Sequence, residues 1–322
     1  MRKASALIAT AGLLIAVLTG CSSPSSTNGD CEPKAKDGAA SKLVSVKGDE
    51  GSAPKVTFPT PVKTDTTQRK VIDEGTGPGV TKGQKVKVEL SAYNGTTGKP
   101  IQQSKYDGSD AASFVLNDST IAGLVKGLIC AKEGSRVAVV VAPDDAFGPQ
   151  GGNAQIGVGK DDSMVFVVDI VKTYLPRANG EPQSVAADLP AVVLAKNGEP
   201  GITVPSSEPP KKLEVGVLKK GDGATVKEGD TVTVHYTGVV WETKEVFDSS
   251  WKRNAPAEFV AADGSKTQGG VIPGFADALI GKKVGSQIIA VIPPDQGYGD
   301  KAQGTIPAGS TLIFVVDILG IG

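Results

Sequence analysis

The chain of 322 residues is poor in the side chains that most active sites are built from: one histidine, three cysteines, two tryptophans, and aromatics at only 5%. So few nitrogen and sulfur donors leave no ligand spacing for a metal, and a lone histidine removes most nucleophile and base pairings of the hydrolase kind. Neither sign of charge is in excess. Lys and Arg number 34 against 35 Asp and Glu, a formal net charge of −1, so nothing draws the chain to nucleic acid or to an anionic membrane surface. No metal and no cofactor are expected. What the chain does have is 41 glycines and 21 prolines, the composition of a turn-rich β or α+β protein, and enough length for two domains.

The only long apolar run lies at the start. Arg2 and Lys3 precede apolar residues 4–18, a run too short and too abruptly ended for a membrane span, so residues 1–20 read as a signal peptide. It closes on Leu18-Thr19-Gly20-Cys21, which resembles a bacterial lipobox, with Cys21 lipidated as the mature N-terminus. The alternative is an ordinary signal peptide with a coincidental cysteine. Residues 21–46, with Ser, Pro, Thr, Asn and Gly in quick succession after Cys21, read as a flexible tether. The folded part is then extracytoplasmic, lipid-anchored to the outer face of a cell membrane of the Gram-positive type. Cys31 and Cys130 remain as an even pair in an oxidising compartment, either disulfide-bonded to each other or two free buried thiols.

The chain repeats itself. Val86-Lys87-Val88-Glu89-Leu90 returns as Val232-Thr233-Val234-His235-Tyr236, and Val56-Thr57-Phe58-Pro59 returns at the same offset as Ile202-Thr203-Val204-Pro205. Ile121-Ala122-Gly123-Leu124 answers Ile272-Pro273-Gly274-Phe275, and Val165-Phe166-Val167-Val168-Asp169-Ile170 answers Ile313-Phe314-Val315-Val316-Asp317-Ile318. A period this long makes each copy a domain. The copies are placed at residues 47–175 and 209–322, with 176–208 as a linker that becomes an accessory hairpin near 191–205.

In the second copy Val232, Val234 and Tyr236 alternate with Thr233, His235 and Thr237, which predicts a strand with one wet face and an exposed His235. Pro273, then Phe275, Ala276, Leu279 and Ile280, predict one short amphipathic helix ending near Gly281, with Lys282 and Lys283 at the negative end of its dipole. Strands at 286–292 and 311–319 complete an α+β domain, one helix on an antiparallel sheet. Residues 288–292 and 312–318 are apolar on both faces, as are 137–141 and 164–168. The outer face of each sheet is therefore expected to be covered by the accessory hairpin or by the other domain.

The runs VTVHYTGV, FDSSWKRN, GGVIPGFADALIGKKVG, PPDQGYG and IPAGSTLIFVVDIL, in order over residues 209–322, resemble the FKBP family of peptidyl-prolyl isomerases. The resemblance implies two domains, each an antiparallel half-barrel sheet wrapped around one short helix. By motif position it implies a substrate pocket of Tyr236, Phe247, Asp248, Arg253, Phe259, Val271, Ile272, Phe275, Tyr298, Ile306 and Phe314. It places Asp248 near the polarised carbonyl, bonded to Tyr236 and close to Arg253. Tyr298 and the Ile272 N–H would hold substrate carbonyls, with Phe275 beneath the proline ring. It implies proline-containing unfolded or secreted proteins as substrates and macrolides as ligands.

The residue chemistry agrees. Rotation about an X–Pro bond must break amide resonance, at a barrier near ~20 kcal/mol. A dry aromatic pocket disfavours the planar, solvated amide relative to the twisted one, so catalysis needs no covalent step. Taken alone, each aromatic reads as ordinary core; the acid and phenols in the same motifs argue otherwise. Two departures stand out. Phe275 sits where many members carry tryptophan, and Ala257 where an aromatic is common, which predicts a thinner outer wall and weaker macrolide binding.

The first copy keeps the frame and loses the site: Leu90 stands for Tyr236, Ile101 and Gln102 for Phe247 and Asp248, Leu124 for Phe275, and Phe147 for Tyr298. The expectation is an isomerase assisting folding of secreted or envelope proteins, with its active site in the second copy: Asp248, Tyr298, Phe275 and Tyr236. The alternative is a membrane-anchored chaperone or binding module in which turnover is incidental or absent. A solute-binding lipoprotein expects two α/β lobes, against the tandem α+β repeat.

Overall fold

Each copy is built on two ten-residue strands rich in valine and isoleucine, whose branched side chains suit a pleated surface. The structure, a computed structural model, describes residues 31–322; the signal peptide, Cys21 and the tether up to residue 30 lie outside the described residues. The long strands are Lys85–Asn94 with Met164–Thr173, and Thr231–Val240 with Leu312–Ile321, paired antiparallel. Their registers coincide. Leu90 lies opposite Val168 as Tyr236 lies opposite Val316, and Ala92 opposite Phe166 as Gly238 opposite Phe314.

Around the first pair the sheet runs Gln68–Asp73, Arg136–Val141, Met164–Thr173, Lys85–Asn94 and Pro100–Gln103, with Ala112–Val115 also on Lys85–Asn94. Around the second it runs Glu181–Pro182, Glu214–Lys220, Gln287–Ile292, Leu312–Ile321, Thr231–Val240, Ala257–Asp263 and Gly270–Val271, with Val246–Ser249 also on Thr231–Val240. Three short α-helices occur among the described residues: α1 at Ala39–Lys42, α2 at Ala122–Leu128 in the first domain and α3 at Pro273–Leu279 in the second. Pro273 opens α3 with its φ already helical, and Gly281, at φ +79°, ends it in the left-handed conformation that an L side chain resists. α3 buries Phe275, Ala278 and Leu279 against Val232, Val234, Ile288, Ala290, Val316 and Ile318. No helix among the described residues is long and apolar enough to cross a membrane.

The outer faces are covered, as two-sided apolar strands require. Hairpin Ala191–Leu194 with Pro200–Thr203 lays Val192, Ile202 and Val204 on Ile289, Val291, Ile313 and Val315. A matching hairpin, Ser45–Lys47 with Lys55–Thr57, covers the first sheet together with α1, setting Val44, Val46, Val56 and Val62 on Ala138, Val140, Val165 and Val167. This corrects the tether expected to reach residue 46. From Ala35 onward the chain is packed: Ala35, Ala40 and Val44 are buried, and Gln68 Oε1 accepts from the Ala40 and Ser41 N–H groups at 2.8 and 3.2 Å. Polar composition hid this, because three small apolar side chains suffice there. The expected linker at 176–208 is likewise part of the second domain. Ala178 is buried with its N–H on Asp317 at 2.8 Å, and Glu181–Pro182 extends the sheet.

Buried polar groups hold the first cover and the connection to the second sheet. In the first domain Arg136 donates to both carboxylate oxygens of Asp169, and reaches the hairpin turn at Gly48 O (2.6 Å) and Ser52 O (2.7 Å). In the second, Gln287 donates to Asp317 at 2.6 Å. Burial pushes the Asp317 carboxyl up, and these donors partly oppose it. Cys31 and Cys130 form a disulfide with Cα atoms 5.5 Å apart, closing a span of 99 residues. A loop of that order is worth about 4–5 kcal/mol in the chain-entropy account.

The domains meet closely. The Leu175 N–H donates to Leu319 O at 3.0 Å, Lys172 donates to Ile321 O, and Lys85 pairs with Glu258. Gly320 permits the approach, since a Cβ there would stand 2.6 Å from the Tyr174 ring.

His235 is not exposed. It is 6% accessible, stacked on Trp251 at 4.1 Å, with Nδ1 2.9 Å from Ser250 Oγ. Thr233 and Thr237 are buried on the same face, because the connection and the chain at 250–255 close over it. Burial, then the positive charge of Arg253, pulls the imidazole down to about 4 from 6.5. The unfolded chain therefore binds the extra proton first, and folding stability falls as pH drops from 6.5 toward 4. His235→Gln is expected to flatten that slope, and the imidazole NMR signal of this single histidine to titrate near 4. A midpoint close to 6.5 would contradict the burial.

Candidate functional site

A cleft of about 670 Å³ lies between the start of α3 and the inner face of the second sheet. Strand alternation puts Tyr236 and Phe314 on the face that also carries Val232, Val234, Val316 and Ile318. Val246–Ser249 contributes Phe247 and Asp248, Ala257–Asp263 contributes Phe259, and the entry to α3 contributes Val271 and Ile272. Phe275 comes from the first turn of α3, and Tyr298 from just beyond a 3₁₀ turn at Pro294–Gln296. Gly238 leaves room for Phe247, whose Cζ would lie 2.4 Å from a Cβ at that position.

The rings pack edge to face. Phe275 stands 4.9 Å from Phe314, 5.5 Å from Phe259 and 6.4 Å from Tyr236 by centroid, and Phe247 stands 5.5 Å from Phe314. One polar group is set into this wall. Asp248 accepts from the Tyr236 hydroxyl on Oδ2 and from Arg253 Nη1 on Oδ1, and Arg253 Nη2 reaches the Tyr236 oxygen at 3.2 Å. Burial works to raise the Asp248 carboxyl, but the hydrogen bonds from Tyr236 and Arg253 prevail and hold it below its ordinary range. Burial, then the Asp248 hydrogen bond, raises the Tyr236 phenol. Burial and Asp248 raise the Tyr298 phenol as well. Through neutral pH the cleft therefore presents two carboxylates, Asp248 and Asp263, both already engaged, and phenols that keep their protons.

Nothing here is an activated nucleophile. Ser250 does lie beside His235, but its hydroxyl is fully buried and spent on the Tyr236 backbone, out of reach of any substrate. An arrangement of aromatic walls and hydrogen-bond donors can hold an uncharged, ring-bearing amide and keep water from it.

Nine of the eleven residues expected at the pocket line this one cleft. Arg253 does not line it and touches it through Asp248. Ile306, 5% accessible, packs into the core instead, because the segment after Gly299 folds back with paired hydrogen bonds between Gln303 and Ile306. Ala257 packs on the core and does not reach the lining. The sequence reading missed Asp263, Gly264, Ser265, Gly270, Pro273 and Gly297. Asp263-Gly264-Ser265 carried a usable signal: an Asp before Gly and Ser closes a turn, and here its Oδ1 accepts from the Ser265 N–H at 2.9 Å and hydroxyl at 2.8 Å.

The matching positions of the first domain are apolar or uncharged. Gln102 lies opposite Ala92 as Asp248 lies opposite Gly238. Leu90 and Leu124 are buried in the first core, with Ile101 and Phe147 packed against it.

The family model described as FKBP-type peptidyl-prolyl cis-trans isomerase matches the chain twice, over residues 77–171 and 223–319. The FK506-binding protein of Streptomyces anulatus is 38% identical over 125 residues, covering 38% of this chain and 97% of that protein. The "Probable FK506-binding protein" of Corynebacterium glutamicum is 36% identical over 121 residues, again 38% of this chain and 97% of its own length. FK506-binding protein 2B of Rhizopus delemar is 44% identical over 119 residues, 35% of this chain and 54% of that one. The first two relatives are thus about one domain long.

Since hydrogen bonds depress the Asp248 carboxyl, removing a donor must raise it. Arg253→Gln and Tyr236→Phe are each expected to move the Asp248 carboxyl titration upward, followed by carboxyl-carbon NMR. An unmoved titration in both variants would mean that the two bonds do not hold the ionised form.

Proposed function

We propose, starting from a chain that belongs to the FKBP-type peptidyl-prolyl cis-trans isomerase family, that the cleft of its second domain carries the turnover and that secreted or envelope proteins are its clients. The chain is a peptidyl-prolyl isomerase with two FKBP domains. Each is read as a half-barrel sheet curled about its helix. The observation that supports the second cleft is the Tyr236, Asp248 and Arg253 group set in an aromatic wall, where the first copy has Leu90 and Gln102.

In this reading the proline ring sits over Phe275, between Phe247, Phe314 and Tyr236. Asp248 faces the polarised carbonyl, while the Tyr298 hydroxyl and the Ile272 N–H donate to carbonyls on either side. As the amide twists, its carbonyl loses resonance polarity and with it the preference for water. The dry walls therefore favour the twisted amide over the planar one, and a preference of ~5 kcal/mol would speed rotation roughly 10³- to 10⁴-fold. The family binds macrolides such as FK506, and the same cleft is their proposed seat here. The first domain, without acid or phenol at these positions, serves as a packing partner.

The test uses the full chain in a refolding-coupled or protease-coupled prolyl assay. Phe275→Ala and Asp248→Ala are each expected to lower kcat/KM roughly 10- to 100-fold, whereas Gln102→Ala leaves it within twofold. Turnover that survives Phe275→Ala and Asp248→Ala together would move the active site elsewhere. The proposed lipid anchor rests on the Leu18-Thr19-Gly20-Cys21 motif. Cys21→Ala is expected to shift the protein from the membrane pellet to the soluble fraction; an unchanged distribution would remove the anchor.

A further inference from the structure

Away from the aromatic cleft, a second hollow of about 420 Å³ opens where the two domains meet. Five stretches of chain wall it: residues 81–83 of the first domain, Pro176 and Arg177 of the connection, Lys196 and Asn197 at the hairpin tip, His235 on its strand, and Trp251 and Asn254 on the loop after Ser249. Three basic side chains line it and no acidic one does, in a chain whose overall charge is −1. Lys82 is paired with Asp118 at 2.8 Å. Arg177 and Lys196 have no ion-pair partner among the described residues. Arg177 spends one N–H on Lys196 O at 2.8 Å, and it acts at a distance on Asp317, which is buried and already accepts from Ala178 and Gln287. Beneath them lies the His235 and Trp251 stack, an apolar plate at the foot of a cationic hollow.

Carboxylates on short methylene stems suit both features: the charge meets guanidinium and ammonium, and the stem touches the small exposed part of the indole. The hollow also shares a loop with the cleft. Trp251 and Asn254 line the one, while Arg253 between them bonds Asp248 in the other. A polypeptide with acidic residues near a proline could be held at both places, and two weak contacts on one chain reinforce each other.

We propose that this junction hollow docks an acidic segment of the client polypeptide, its carboxylates meeting Arg177 and Lys196 above Trp251. The inference rests on the isomerase reading for its choice of ligand, but its test needs no turnover. The only histidine of the chain lies in the hollow, so its ring signal in histidine-labelled full-length protein reports occupancy directly. A capped tetraglutamate peptide is expected to shift that signal saturably, and a tetraglutamine peptide to leave it in place. Lys196 is exposed, and Lys196→Gln removes a charge without disturbing packing; it should weaken the peptide about threefold, and together with Arg177→Gln at least tenfold. No saturable shift, or an unchanged affinity in Lys196→Gln, would overturn the proposal. Inorganic phosphate binding as tightly as tetraglutamate would overturn it too, by marking a site for small anions. A failed prolyl assay beside a positive titration would sink the isomerase reading and leave this one standing.

Discussion

A sheet that is apolar on both faces cannot stand in water with one of them bare. α2 and α3 cover only the inner faces, and at roughly 25 cal/mol for each Å² of apolar surface, a second row of valines and isoleucines is worth several kcal/mol to whatever covers it. The hairpins at 45–57 and 191–203 are therefore components of the fold, and each repeat is longer than its sheet-and-helix core. The Val56-Thr57-Phe58-Pro59 echo at Ile202-Thr203-Val204-Pro205 has this meaning. The same need fixes the buried polar groups, because a cover laid on a sheet brings backbone carbonyls and N–H groups out of water. Arg136 satisfies Gly48 and Ser52 in one domain, and Asp317 satisfies Ala178 in the other.

On one register the two copies have diverged into different chemistry. Leu90 and Tyr236 occupy equivalent sites, as do Gln102 and Asp248, Leu124 and Phe275, and Phe147 and Tyr298. Exchange of a handful of side chains on the shared long-strand register separates a packed apolar core from a cleft that carries an engaged carboxylate. Because Asp248 is bonded on both oxygens, it is fixed in position before any substrate arrives. Such preorganisation matters in a reaction that makes no covalent bond.

Periodicity and motif spacing carried much of this. Tyr236, Phe247, Phe275 and Phe314 were legible as one cluster through the family resemblance of the motifs that carry them, and α3 was legible from Pro273 and the spacing of Phe275, Ala276 and Leu279. What was not legible depended on contacts remote in sequence. His235 sits in a polar alternation that signals a wet face, yet the connection and the loop carrying Trp251 close over it. Residues 35–46 look like tether until Val44 and Ala40 meet Val140 and Val165. Ile306 carries the family spacing but is drawn into the core by its pairing with Gln303. In each case tertiary packing overrode a local pattern that was read correctly as a pattern.

The bond between Cys31 and Cys130 has a mechanical side. Tension on the chain ahead of Cys31 enters the first domain at two points at once, through the backbone toward α1 and through the sulfurs to the far end of α2. The load is shared across the domain rather than concentrated on the edge where α1 is packed. A pull that would otherwise peel the amino-terminal segment from its sheet must instead shear the domain as a block, which is the harder way to open it.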